Sequence, residues 1–193
     1  MDLPAFPVLT TERLILREVV AEDAEDLLAF RGDAEVQQYN LVPMRDVREA
    51  RNLVRTMQGW YTTGYAIQWG ITLHGENRVL GLCGLHDLSR HRRRAALGYD
   101  LMRSHWGLGI ASEAMRAVLR FGFGNLDLER IEALTVAENA RSIRLLERLG
   151  FTFERVRPDS PWENDGRFRE RAVYRLLRTD YLSESSAPAE SQG

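Results

Sequence analysis

In LGYDLMRSHWGLGIASEAMRAVLRFGF, residues 97–123, a strand-like run gives way to two glycines, Gly107 and Gly109, and then at once to a helix-forming run from Ile110 to about Phe123. Glycine at such a junction has a plain use, as a turn that lets the chain change direction. It has a second use as an anion seat. The first amides of a helix have no partner inside it, and the helix dipole leaves partial positive charge there. Glycines strip away side chains so that a phosphate can approach the bare backbone. The unit is not a P-loop, because no G-K-[ST] is present. It is not the full dinucleotide fingerprint either, because Ser112 stands where a third glycine would be. The ligand expected here is phosphate-bearing, but neither a nucleoside triphosphate nor a dinucleotide.

Working outward, RAALGYDLM (94–102) is the strand that feeds this loop. RIEALTV (130–136) is the strand that follows the helix. Upstream, TERLILREV (11–19), YAIQWGITL (65–73) and RVLGLCGLHDL (78–88) read as strands, the last two joined by a hairpin-like HGEN turn. Helices are expected over 23–31 and over 47–62, the first stopped by Gly32, the second capped by Asp46 and ended by Gly64. Downstream, ARSIRLLERLG (140–150) is a helix, FTFE (151–154) starts a strand, 156–170 is a loop bearing Trp162, and RAVYRLLR (171–178) closes the sheet. Antiparallel order first and strand–helix–strand units later give a mixed α/β fold: one sheet of about seven strands with helices on both faces.

The chain has 193 residues, 44% of them hydrophobic, which suits one domain with a proper core. Its net charge of −2 offers no global basic field, so nucleic acid and membrane surfaces are not expected partners. A single cysteine, Cys83, excludes an internal disulfide and multi-cysteine metal sites, and four scattered histidines show no ligand spacing, so no metal is expected. No apolar run approaches membrane-spanning length and the N-terminus lacks a signal pattern, which points to the cytoplasm.

Four ordered segments resemble one family. Residues 97–123 resemble the acetyl-CoA-binding segment of the GNAT N-acetyltransferase superfamily, and TVAENARSIRLLERLGFTFE (135–154) resembles the segment that follows it there. TERLILREVVAEDAEDLL (11–28) and AVYRLLRTDYL (172–182) resemble the opening and the final strand of the subgroup that includes the ribosomal-protein N-terminal acetyltransferases (Rim-type). The resemblance implies a single N-acetyltransferase domain over 1–182, with 183–193 a disordered tail. It implies a V-splayed sheet, the GNAT-type acyl-CoA N-acyltransferase fold, with acetyl-CoA as co-substrate in the cleft. By the same resemblance, Leu101, Met102 and Arg103 are the backbone edge facing pantetheine, Trp106, Gly107, Leu108, Gly109, Ile110 and Ala111 wrap the pyrophosphate, and Asn139 bonds pantetheine from the other wall. One departure stands out: Ser104 occupies a position where the wider superfamily often has Gln or Arg, which leaves less side-chain charge for the pyrophosphate.

An amine attacking a thioester must be neutral, the carbonyl must be polarised, and the leaving thiolate needs a proton. Ser142 is the candidate on the thiol side. Its alternative is a first-turn helix residue bonding its own backbone. The tyrosine that serves some relatives four residues later is replaced here by Leu146. Glu132 is the best carboxylate for a base, with a surface ion pair as its alternative. Asp100 is a second option, His86 and His105 are further ones, and a water chain without a dedicated base is another. SRHRRR (89–94) lies on the order of 20 Å or more from the loop along an extended strand, so it reads as a solvated turn. Trp60, Tyr61 and Tyr65 either wall an acceptor pocket or pack, and Cys83 reads as a small buried residue.

The function expected is transfer of an acetyl group to a primary amine, either a protein N-terminus or a small molecule such as a polyamine, amino acid or aminoglycoside. A non-catalytic acyl-CoA-binding or sensing module is the rival from another class. The subgroup's habits imply a homodimer, although no residue in the sequence identifies the interface.

Overall fold

The computed structural model describes residues 5–40, 42–157 and 170–186. The elements run β1 (Leu9–Thr10), β2 (Leu14–Arg17), α1 (Ala24–Arg31), α2 (Val47–Thr63), β3 (Ile67–Leu73), β4 (Gly81–Ser89), β5 (Arg94–Leu101), α3 (Ile110–Gly124), β6 (Arg130–Val136), α4 (Ala140–Arg148), β7 (Thr152–Arg157), β8 (Arg171–Leu177) and α5 (Arg178–Ser186). They form an eight-stranded sheet in the order β1-β2-β3-β4-β5-β6-β8-β7. The mixed α/β fold is therefore as expected, with one strand more than about seven. The extra strand is β1, where Leu9 and Thr10 pair with Leu16 and Ile15 in what reads from sequence as a lead-in.

Local chemistry sets the helix ends. The Asp46 carboxylate accepts from the amides of Arg48 and Glu49 and caps α2, which ends at Gly64 in the left-handed region. Two apolar clusters then hold helices to the two faces of the sheet. One joins Leu14, Leu16, Trp69, Ile71, Cys83 and Leu85 to α3 and α4. The other joins Val19, Val79 and Leu82 to α1 and α2. Strand β4 is buried on both faces for this reason, and reads as a near-continuous apolar run.

The feature that positions the site is the junction of β5 and β6. These strands pair in parallel only at Arg94–Arg130, Ala95–Ile131 and Ala96–Glu132. Beyond Ala96 they separate, while β5 continues to Leu101 and β6 to Val136. The sheet is thus splayed, as the resemblance implies.

The C-terminal half departs from expectation in two places. Strand β8 does not close the sheet. It lies between β6 and β7, antiparallel to both, with Arg175 opposite Glu132 on one side and Thr152 on the other. Helix α5 runs through Ser186, past the point where a tail is expected to begin, and Tyr181 stacks on Phe123 with ring centroids 4.9 Å apart. Most of the expected loop 156–170, including Trp162, and residues 187–193 lie outside the described residues.

Candidate active site

The loop between β5 and α3 is a short 3-10 turn, Arg103–His105, followed by Trp106 and the glycine pair. Gly107 and Gly109 both have φ of +78°, a backbone conformation in which other L-residues are strained. Around a Cβ built on Gly107 there is nothing within 4 Å. Gly109 is the N-cap of α3 and supplies no side-chain cap. Among the described residues, none of the amides from Gly107 to Ser112 donates to another protein group. Ile110 is buried in the core and anchors this open ring of donors. The geometry is that of an anion seat.

The loop is braced from β2. The Arg13 guanidinium donates from Nη1 to the Leu108 carbonyl at 3.0 Å and from Nε to Glu113 at 2.7 Å. Thr11 and the Arg13 amide donate to the same carboxylate. Burial pushes the Glu113 carboxyl up, but the hydrogen bonds from Thr11 and Arg13 outweigh it and hold the group below the usual carboxylate range. Arg13 was missed in the sequence because its partners lie about a hundred residues away and share no spacing with it.

The edge of β5 differs in detail from expectation. The Met102 amide donates to Leu80, just ahead of β4, at 2.7 Å, and the carbonyls of Met102 and Arg103 accept from His105 and Trp106. The Met102 amide is therefore spent within the chain, while the Arg103 amide has no partner among the described residues. Antiparallel ladders alternate, so Tyr99 and Leu101 turn their backbone groups away from β4, toward the space that β6 leaves. The Leu101 carbonyl accepts the Trp106 indole N–H at 2.8 Å. The Arg103 side chain turns away to Glu35 at 2.5 Å and Asp33 at 3.9 Å.

On the opposite wall, Asn139 caps α4. Its Oδ1 accepts the Ser142 amide at 3.1 Å, and its Nδ2 has no partner among the described residues. Ser142 is buried, and its hydroxyl lies beside the Tyr99 phenol. Burial pushes the Tyr99 phenol above its ordinary range, with the Ser142 hydrogen bond and the positive charge of Arg141 pulling the other way. Arg141 stacks over the Trp106 ring at 3.9 Å from its centroid. The structure thus gathers Leu101, the glycine loop, Asn139 and Ser142 around one opening, and adds Tyr99 and Arg141.

The candidate bases are not gathered there. Glu132 sits where β5 and β6 are still paired, opposite Ala96. Its Oε1 accepts from Arg130 at 2.9 and 2.7 Å, and Arg130 also holds Glu154 at 2.5 Å. Asp100 points to the other face of β5, buried between Arg31 at 2.6 Å and Asn40 at 2.6 Å. His86 pairs with Asp87, and His105 with Ser104. Cys83 is fully buried and burial pushes its thiol up, which keeps it from acting as a thiolate. Trp60 packs in the α1/α2 cluster, Tyr61 against Phe6, and Tyr65 donates to Asp87. In SRHRRR, Arg93 is held by Asp127 and Glu129. Among the described residues no helix is long and apolar enough to cross a membrane.

Residues 13–152 match the acetyltransferase (GNAT) domain family. The chain is 38% identical over 174 residues to an uncharacterized N-acetyltransferase, p20, of Bacillus licheniformis, a match covering 90% of this chain and 97% of that protein. It is 28% identical over 184 residues to the [ribosomal protein uS5]-alanine N-acetyltransferase of Escherichia coli (strain K12), covering 90% and 92% respectively. In fold it resembles a ribosomal L7/L12 alpha-N-protein acetyltransferase solved with coenzyme A, with TM-score 0.79, 21% identity, and coverage of 89% of this chain and 98% of that one.

Proposed function

Because the chain belongs to the acetyltransferase (GNAT) family and is an N-acetyltransferase, we propose that its donor is acetyl-CoA and its acceptor is the α-amine of a protein N-terminus. The residues present suit that donor. The glycine loop offers free amides to a diphosphate, with open space at Gly107, and the splay leaves Tyr99 and Leu101 to meet an arm that carries amides of its own. Asn139 Nδ2 faces the same need from the other wall. The donor supplies an acetyl group already activated as a thioester.

The observation that carries the acceptor is the state of the carboxylates. Glu132 and Asp100 each hold a guanidinium, and neither is free to take a proton from an incoming ammonium. Without a dedicated base, the acceptor must arrive partly neutral. An α-amine, with a reference pKa near 8, is neutral in about one molecule in ten at pH 7, whereas a lysine-type or polyamine nitrogen is neutral in fewer than about one in a thousand. Water is then enough to carry the proton away. The similarity to the uS5-alanine N-acetyltransferase supports the same acceptor class. On the thiol side, Ser142 donates toward the leaving sulfur, and Tyr99, its phenol kept protonated by burial, holds the serine hydroxyl in place.

The test is thiol release from acetyl-CoA over peptides of varied N-terminal residue, polyamines, amino acids and aminoglycosides. Turnover is expected with peptides bearing a free α-amine, rising with pH toward 8. Turnover confined to polyamines or aminoglycosides would overturn the acceptor. Tight acetyl-CoA binding with no turnover anywhere would favour a binding module instead.

A further inference from the structure

We propose that Arg141 is the side-chain cation of the donor's phosphate seat, and that it compensates for the uncharged Ser104. This rests on the acetyl-CoA reading above. The argument begins with the other cations around the loop. Ser104 carries no charge and bonds His105. Arg103, next to it, is drawn off to Glu35 and Asp33. Arg13 is committed to Glu113 and the Leu108 carbonyl. The backbone amides of 107–112 are left as the loop's own contribution, and the guanidinium charges of Arg103 and Arg13 are each balanced by a carboxylate.

Arg141 is the exception. It lies in the first turn of α4 and is exposed, yet its guanidinium is not loose. Its Cζ lies over the ring of Trp106, a residue of the loop itself, 3.9 Å from the centroid, and that indole is tied in turn to the Leu101 carbonyl. Stacking uses the face of the guanidinium and leaves its N–H donors, which lie in the plane, available to an anion. Among the described residues it has no carboxylate partner. Arg144 and Arg148 follow three and seven residues later on the same side of α4, also exposed and, among the described residues, also without a carboxylate partner. An arginine immobilised at a phosphate seat, with its donors unspent, is pre-organised to bind phosphate. No local motif reports this, because the stack joins residues 35 positions apart.

The experiment is calorimetric binding of CoA and of 3′-dephospho-CoA to the full chain, for the wild type, Arg141→Gln and Arg141→Lys. Arg141→Gln is expected to weaken CoA binding about tenfold or more, with the unliganded melting temperature unchanged. The deficit should shrink as salt is raised, since it is electrostatic. Lysine should restore only part of it, because an ammonium does not lie flat on the indole. An equal deficit for both ligands assigns the contact to the diphosphate, and a deficit for CoA alone assigns it to the 3′-phosphate. Wild-type affinity in Arg141→Gln, or a deficit indifferent to salt, would overturn the role while leaving the donor reading intact. Failure of the wild type to bind CoA would overturn both.

Discussion

The two ends of the β5–β6 junction are built from the same strands and do opposite things. At the paired end, the carboxylates of Glu132 and Glu154 are each held by guanidinium groups. Arg130 bridges Glu132 and Glu154, and Arg155 and Arg175 join the same carboxylates. At the splayed end the polar groups are left open: the amides of 107–112, Asn139 Nδ2 and the Arg141 guanidinium. A folded chain ordinarily satisfies its polar groups. Where one end ties up its carboxylates and the other leaves a ring of donors open, the open end is the one shaped for something outside the chain.

By this contrast, changes at the splayed end act on binding and turnover, and changes at the paired end act on stability. The largest effect is expected from changing Gly107 and Gly109 together to alanine. Positive φ at both sites costs about 1–2 kcal/mol each for a residue with a Cβ. The seat should relax out of shape and CoA affinity fall roughly a hundredfold by calorimetry, with a much smaller change in melting temperature. Ser142→Ala comes next. Loss of a proton donor should lower kcat by about 10- to 100-fold with KM for acetyl-CoA little changed, read from initial rates of thiol release. An unchanged kcat would return Ser142 to its alternative as a first-turn helix residue bonding its own backbone.

The paired end should behave in reverse. Arg130→Ala is expected to destabilise the fold by about 1 kcal/mol in denaturant titration, with kcat within about twofold of wild type. The Arg130 hydrogen bond holds the Glu154 carboxyl below its ordinary range. A depressed carboxylate contributes stability that is present above its unfolded pKa and is lost as pH falls through the folded value. The wild-type advantage over Arg130→Ala should therefore be full at neutral pH and fade below about pH 4. Glu132→Gln is the smallest change: activity should stay within about threefold of wild type, and a loss of a hundredfold or more would restore Glu132 as the base.

Much of the site is legible in residues 97–123 and 135–154, because its parts are local. A glycine pair before a helix, and an Asn three residues ahead of a Ser at a helix start, are patterns within one turn of chain. Which backbone groups of residues 99–103 face the splay is not legible in the same way, because strand alternation depends on the partner's register. The Met102 amide is spent on Leu80, just ahead of β4, about twenty residues away.

The sequence by itself determined most of the order of strands and helices, the mixed α/β class, the glycine pair at the start of α3 and the family the chain resembles. All of these follow from periodicity, capping residues and glycine placement along a short run of backbone. Only the tertiary structure decided that β8 lies inside β7, that Glu132 and Asp100 are committed to guanidinium groups, and that Arg13, Tyr99 and Arg141 converge on the loop. Those facts rest on contacts between residues far apart in the chain. Which charge finds which partner is settled by the packing of the sheet and its helices, and one-dimensional spacing does not encode it.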